Sequence, residues 1–137
     1  MTDNNSDLND LAKEWYRFAV RDFMVAKHLN ETMYPKPIEN ICYQCQQSAE
    51  KFLKGFLISN RIIDPPKTHD LIQLRTMCAE INEKFEEVRD ICQRLTRYGV
   101  QPRYPNEIEI LESDAEAALQ NAREMIEFYK SQGIDLE

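Results

Sequence analysis

Glycine and histidine are scarce in this chain of 137 residues, which has only three glycines and two histidines. The glycines Gly55, Gly99 and Gly133 are too far apart to form a loop whose backbone amides close on a phosphate. Walker-type and Rossmann-type nucleotide sites are therefore excluded. The acidic residues show no recognisable pairing either, so neither a metal site nor a cofactor is predicted. No set of catalytic residues is visible.

Positive charge and long apolar runs are also lacking. The chain has 17 basic against 24 acidic residues, a net charge of −7, which argues against general affinity for duplex DNA. The whole acidic excess falls in residues 106–137, whereas residues 89–105 carry four arginines against one aspartate. No segment resembles a secretion signal or approaches membrane-spanning length, so a cytoplasmic protein without membrane contact is predicted.

The four cysteines, Cys42, Cys45, Cys78 and Cys92, are expected to be reduced thiols. Cys42 and Cys45 form a Cys-x-x-Cys, but no second pair follows at zinc-site spacing and no βαβ pattern surrounds the first. Because both lie on a predicted apolar helix face, buried small side chains are favoured over metal or redox chemistry.

Three pairs of prolines divide the chain into pieces whose apolar residues recur with a helical period. The predicted helices cover about residues 6–30, 37–60, 68–81, 82–98 and 113–132, the third being short. The sum is an all-α fold, an up-and-down bundle of four main helices plus one short helix. A single domain over residues 1–137 is expected, with about residues 1–6 disordered.

Local signals mark the helix ends. Thr68 and Asn82 are predicted caps, and the run from Ser113 to Glu116 reads as a capping box that opens the last helix. Gly99 and Gly133 are predicted left-handed stops. On the first helix, one face is expected to enter the core: Leu8, Leu11, Trp15, Phe18, Ala19, Ala26 and Leu29.

Asp22 lies inside that apolar face, between Phe18 and Ala26. A carboxylate there needs a cation or several hydrogen-bond donors, so an Arg, Lys or His is expected to reach it from another helix or loop. A buried pair that fixes helix packing is favoured over a direct role in chemistry.

Helix two carries a polar face opposite its apolar stripe, composed of Gln47, Glu50, Lys51 and Lys54. The spacing alone favours a solvated face with ordinary Glu and Lys residues. His69, at the start of helix three, is by the same reasoning a capping or packing residue.

Residues 94–105 combine three arginines and two tyrosines around a turn that glycine and proline limit. Arginines there can bind phosphate bidentately, and tyrosines can stack a base. The alternative is a loop that its tyrosines pack onto the bundle, with the arginines paired to acids. Composition alone does not distinguish ligand binding from packing onto the bundle.

Several short segments, taken in order, carry a resemblance to a known family. They are Trp15-x3-Ala19-x2-Asp22-x3-Ala26, residues 46–54, residues 67–71, Tyr98-x4-Arg103-Tyr104-Pro105, and Asp114-Ala115 followed by Ala122. The set resembles the HEPN domain family (higher eukaryotes and prokaryotes nucleotide-binding), in its stand-alone bacterial and archaeal type, and covers nearly the whole chain.

The resemblance implies a helical bundle that dimerises and is often paired with a minimal nucleotidyltransferase in a two-component, toxin–antitoxin-like system. It also implies nucleotide binding or metal-independent cleavage of RNA. Ribonuclease members carry an Arg followed four to six residues later by His, and this chain has no histidine after His69. Arginine cannot move a proton near neutral pH and tyrosine titrates near 10, so the chain departs from the ribonuclease pattern.

The leading hypothesis is a non-enzymatic HEPN domain that binds a nucleotide, RNA or a minimal nucleotidyltransferase. Its expected contacts are Arg97, Tyr98, Arg103, Tyr104, Lys51, Lys54 and His69, with Asp22 orienting one of the cations. One alternative is a metal-independent endoribonuclease whose site forms across a homodimer from Arg97, Arg103 and His69. A third is a structural adaptor in which the arginine and tyrosine segment only packs.

Overall fold

The computed structural model of the chain describes residues 4–100 and 109–136, and every regular element within them is helical. The helices are α1 (Asn4–Thr32), α2 (Ile38–Ser59), α3 (Leu71–Ile81), α4 (Arg89–Leu95) and α5 (Glu112–Ser131). Helix α2 is central, because it packs against α1 along its length and also contacts α3, α4 and α5. The predicted all-α bundle is confirmed.

The fourth predicted helix is divided into three pieces. A 3-10 segment, Glu83–Val88, precedes α4, and a second, Thr96–Tyr98, follows it. Asn82 caps the first segment as predicted, since its side chain accepts a hydrogen bond from the Lys84 N–H. Phe85 and Val88 are buried, and the period of three residues in a 3-10 helix brings both to the same side.

Two predicted helix starts are wrong by a few residues. Asp70, not Thr68, caps α3: its carboxylate accepts hydrogen bonds from the Ile72 and Gln73 N–H groups. Helix α5 begins at Glu112, so Ser113 is already inside it. The carboxylate of Asp114 accepts a hydrogen bond from the Leu111 N–H at 2.8 Å and so closes this helix start. The first error arises because Thr68 and Asp70 can both cap a helix, whereas α5 follows Leu111, which has no side-chain cap to predict.

The two glycines predicted as helix stops differ. Gly133 has φ +79° just after α5, so the left-handed stop is confirmed there. Gly99 has φ −71°, which is right-handed, so that prediction is wrong. Glycine at position 99 provides space instead: a Cβ would lie 3.0 Å from the Cβ of His69 and 3.2 Å from the side-chain nitrogen of Gln46.

The buried face of α1 is rotated from the predicted one. Its core residues are Ala12, Tyr16, Ala19, Phe23 and Ala26. Of the predicted face only Ala19 and Ala26 are buried, while Leu11 and Phe18 are 43% and 41% exposed. The difference is about 70°, less than the rotation of one helical residue, so the two faces share Ala19 and Ala26.

Close contact between α1 and α2 forms this face. The hydroxyl of Ser48 on α2 donates a hydrogen bond to the backbone oxygen of Ala19 at 2.7 Å. A Cβ on Gly55 would lie 2.6 Å from a ring carbon of Tyr16, so the glycine makes room for that ring. Tyr16 and Phe23 are therefore buried, while Leu11 and Phe18 remain outside.

Aromatic rings form the centre of the bundle. Tyr16, Phe52 and Tyr129 pack together from three different helices, with centroids 4.6 to 6.0 Å apart. The Tyr129 hydroxyl donates a hydrogen bond to the backbone oxygen of Phe52 at 2.7 Å. Burial raises the pKa of Tyr16 to about 12 and holds that of Tyr129 well above its usual value.

All four cysteines are buried free thiols, as predicted. Burial raises the pKa of Cys42 and of Cys92 to about 12. It raises the pKa of Cys45 and of Cys78 further. Because metal binding and thiol chemistry require the thiolate, these side chains act here as small apolar groups.

Candidate functional site

Asp22 and Lys51 form the first contact between predicted site residues. The Lys51 ammonium donates a hydrogen bond to the Asp22 carboxylate across the interface of α1 and α2. The two side chains are 28% and 15% exposed, so the pair is largely withdrawn from solvent. The predicted cation for Asp22 is thus a lysine from another helix.

Glu50 is the centre of a second polar group. Its carboxylate lies 2.8 Å from Nδ1 of His69 and 3.1 Å from the Lys54 ammonium. Only 7% of its side chain is exposed, and 12% of that of Lys54. The prediction of a solvated Glu and Lys face on α2 is therefore wrong: three charged residues of that face are paired and partly or largely buried. The face points at α1 and at the segment before α3 rather than at water.

Gln46 links this group to the turn after Tyr98. Its side-chain NH₂ donates to the backbone oxygen of His69 at 3.0 Å, and it lies 3.3 Å from the Glu50 carboxylate. Gly99 packs against both Gln46 and His69. The Leu71 N–H also donates to the Thr96 hydroxyl at 3.0 Å, so the start of α3 and the end of α4 are held together.

Arg97 and Tyr98 lie on the other side of this turn, against α5. The guanidinium of Arg97 covers the Tyr98 ring at 4.7 Å from its centroid and donates a hydrogen bond to its hydroxyl. It also lies 3.3 Å from the Asp114 carboxylate. The hydrogen bond to Tyr98 raises the pKa of Arg97, and burial raises that of Tyr98. Tyr98 is only 7% exposed, whereas Arg97 is half-exposed.

A cavity of about 290 Å³ opens between α4 and α5, and we call it the α4–α5 cavity. Its walls include Arg94, Arg97, Tyr98, Asp114, Ala118 and Asn121. Arg94 is exposed and has no ion pair or hydrogen bond with any residue that the structure describes. Asn121 is 4% exposed and likewise has no hydrogen-bond partner within residues 4–100 and 109–136.

The described contacts divide the predicted site residues between two places. Lys51, Lys54 and His69 are each paired with an acid on the α1 and α2 side. Arg97 and Tyr98 line the α4–α5 cavity. Arg103 and Tyr104 lie outside the described residues.

Asn121 lines the α4–α5 cavity but was not predicted from the sequence. It lies in the apolar stripe of α5, three residues after Ala118 and four before Met125. This is the pattern that identified Asp22, a polar residue on an apolar face. Gln46 on α2 shows the pattern as well, between Cys42 and Ala49, and it too is buried and structurally engaged.

Two negative findings apply to the described part of the chain. No group of three or more His, Cys, Asp or Glu side chains there is placed to hold a metal ion. None of its helices is both long and apolar enough to span a bilayer.

Comparison with protein families shows that the model of the HEPN domain matches residues 12–132. This range includes all five helices apart from the first two turns of α1. Comparison with curated proteins and with solved structures gives no significant match.

Proposed function

Because the chain belongs to the HEPN domain family, we propose that it binds a nucleotide or an RNA segment in the α4–α5 cavity and does not cleave it. We propose further, from the family alone, that it acts in the cytoplasm with a minimal nucleotidyltransferase partner in a two-component, toxin–antitoxin-like system.

The observation that carries the proposal is the unpaired Arg94 beside the half-exposed Arg97 at one cavity. A guanidinium is always charged and presents a planar fork of donors that suits phosphate. The volume, about 290 Å³, is at the lower end of the roughly 300–1,000 Å³ usual for ligand sites. A single nucleotide unit is the ligand of that size and charge.

Arg97, rather than Tyr98, presents an accessible planar group to this cavity. One face of the Tyr98 ring is covered by the Arg97 guanidinium, and the ring is buried. The outer face of that guanidinium is the plane on which a base can stack. We therefore propose that Tyr98 orients Arg97, while Arg97 contacts the ligand.

The proposal and the ribonuclease alternative differ in whether the bound RNA is cleaved. Among the described residues, His69 contacts Glu50, whereas Arg97 contacts Asp114. No described contact within one chain joins His69 to Arg97, so a ribonuclease site would need the second copy of a dimer. The absence of the Arg-x4-6-His pattern supports binding without cleavage.

Arg94→Ala is expected to weaken binding of nucleoside monophosphates by about tenfold or more, because a charge-assisted hydrogen bond is lost. Calorimetric titration measures the change. The matched control is Arg89→Ala, an exposed arginine of the same helix that pairs with Glu86 outside the cavity. Equal losses in both variants, or none in Arg94→Ala, would contradict the proposed site.

Labelled RNA incubated with the protein and a chelator should stay intact. Cleavage of the RNA would favour the ribonuclease alternative instead.

We also propose that the chain forms a homodimer through the outer α1 stripe, defined as Leu11, Phe18 and Val25. These residues are seven apart and 39% to 43% exposed, so they form one apolar line along the helix. Residues 4–14 carry three acids and one base, and residues 15–27 carry three bases and one acid. Antiparallel pairing of two α1 helices therefore brings opposite charges together and places Phe18 against its copy.

Light scattering at micromolar concentration should give twice the mass of one chain. Phe18→Asp is expected to give the mass of a monomer, since two buried carboxylates would face each other. Met24→Asp is the control, because Met24 is 52% exposed on the same helix but lies off the stripe. A monomeric parent protein, or a dimer that both substitutions leave intact, would remove this interface.

A further inference from the structure

Asp114 is the only acid that lines the α4–α5 cavity among the residues that the structure describes. One oxygen of its carboxylate lies 3.3 Å from the Arg97 guanidinium, and the other accepts a hydrogen bond from the Leu111 N–H at 2.8 Å. Both oxygens are therefore engaged, and only 30% of the side chain is exposed. These contacts hold a negative charge at the edge of the proposed phosphate site.

Arg97 does not depend on Asp114 for its position. Its guanidinium covers the Tyr98 ring at 4.7 Å from the centroid and donates a hydrogen bond to the Tyr98 hydroxyl. Tyr98 thus orients Arg97, while Asp114 offsets its charge. Arg94 is then the only cation of the described lining whose charge no described acid offsets.

The charges of the cavity favour one kind of phosphate. Two guanidiniums and one carboxylate give the described lining a net charge of +1. A phosphodiester carries a single negative charge, so it neutralises this lining. A terminal phosphate carries about 1.5 to 2 negative charges at pH 7, so an excess of negative charge remains beside Asp114. That excess is unfavourable, because a partly enclosed anion loses hydration without gaining a counter-ion.

We infer that Asp114 makes the α4–α5 cavity selective for phosphodiesters over terminal phosphates, because its carboxylate repels the second charge of a phosphomonoester. This inference rests on the proposed function and specifies the phosphate chemistry of the ligand. A nucleotide unit inside an RNA strand and a cyclic nucleotide both carry such a phosphodiester. Nucleoside monophosphates are then the weaker ligands of the same site.

The first test compares two ligands that differ by one charge, uridine 5′-monophosphate and its methyl ester. Calorimetric titration of the unmodified chain at neutral pH should show that the ester binds about tenfold more tightly, since like charges no longer face each other. Equal affinities that Arg94→Ala still reduces, or tighter binding of the monophosphate, would overturn the inference and leave the proposed function standing. Failure of both ligands to bind would overturn the two together.

The second test removes the charge of Asp114 and keeps its shape. In Asp114→Asn the amide oxygen can still accept the hydrogen bond from the Leu111 N–H. This variant should bind uridine 5′-monophosphate about tenfold more tightly than the parent does, so the preference for the ester disappears. A gain in affinity cannot come from a variant that fails to fold.

Glu116→Gln is the matched control, since Glu116 is an exposed acid of α5 that does not line the cavity. It loses the same charge and should keep the preference for the ester. The role of Asp114 would be overturned if the preference survived in Asp114→Asn, or if Glu116→Gln abolished it equally.

A third comparison identifies the source of the phosphodiester. The probes are uridine 3′,5′-cyclic monophosphate and a short oligouridylate with hydroxyl groups at both ends. Both carry only phosphodiesters, so at least one should bind more tightly than uridine 5′-monophosphate. The tighter of the two identifies the ligand as a cyclic nucleotide or as an RNA strand. Weaker binding of both than of the monophosphate would overturn the inference.

Discussion

Above about pH 9 the protein is expected to lose stability steeply and to unfold by about pH 10 to 11. The cause is the four buried thiols. In the folded chain burial raises the pKa of Cys42 and Cys92 to about 12, and that of Cys45 and Cys78 further. In the unfolded chain a thiol ionises near pH 8.5. The unfolded state therefore releases protons that the folded state retains.

The pH window follows from these two values. The stability that a neutral buried thiol contributes is fully present below about pH 8.5 and is lost as the pH rises toward the folded pKa. Each thiol costs about 1.4 kcal/mol per pH unit in that window, so four cost about 8 kcal/mol by pH 10. A domain of this size has only about 5–15 kcal/mol in total. Tyr16 and Tyr129 act in the same direction at higher pH, because burial raises their pKa too.

Urea unfolding followed by circular dichroism between pH 7 and 10, with a reductant present, measures this slope. Cys45→Ala should reduce the slope by about one thiol, 1.4 kcal/mol per pH unit, whatever its effect at pH 7. Tyr34→Phe is the control, because the Tyr34 ring is 92% exposed and does not change its surroundings on unfolding. A free energy of unfolding that stays constant up to pH 10 would contradict the burial of the thiols.

Glu50→Ala is expected to lower the free energy of unfolding by about 3 kcal/mol, because it leaves the nearly buried Lys54 ammonium without its counter-ion. The melting temperature should fall by about 10 °C. Three partners lose their acceptor at once: Lys54 at 3.1 Å, His69 at 2.8 Å and Gln46 at 3.3 Å. His69→Ala should cost much less, since the imidazole is 64% exposed.

Two comparisons identify the cause of that loss. Glu127→Ala removes an exposed carboxylate that lies 3.8 Å from Lys130, and should change stability by about 0.5 kcal/mol or less. Replacing Glu50 and Lys54 together by leucine should restore most of the stability, because no unpaired charge remains buried. Thermal denaturation of the parent protein, Glu50→Ala, Glu127→Ala and the double leucine variant measures these differences in stability. A loss below about 1 kcal/mol in Glu50→Ala would mean that Lys54 reaches water on its own.

Helix content could be predicted from the sequence, but the rotation of α1 could not. The apolar period identifies a helix, and it correctly placed Phe52, Leu53 and Tyr129 in the core. On α1, two adjacent faces are apolar, and the one with Leu11 and Phe18 was predicted to be buried. The structure buries the face with Tyr16, Ala19 and Phe23 instead, since α2 approaches closely there and Gly55 makes room for the Tyr16 ring. That approach is a tertiary property.

The candidate site was predictable only in part for a related reason. Asp22 was identified by its place on an apolar face, yet its partner Lys51 depends on how α1 and α2 are rotated against each other. Glu50 and Lys54 have the spacing of a solvated pair, yet Glu50 contacts His69 of the segment before α3 and both side chains are largely buried. Asn121, like Asp22, is a polar residue on an apolar helix face. Only the structure shows that it lines the α4–α5 cavity.

The contact between Tyr129 and Phe52 determines when during synthesis the core can close. The two residues are 77 positions apart, and the Tyr129 hydroxyl satisfies a backbone oxygen of α2 in the middle of the bundle. Until the ribosome has released α5, the rings of Tyr16 and Phe52 lack their third partner, and the apolar surface of α2 stays open. The aromatic core can therefore close only after α5 has been synthesised, and folding completes as one late event.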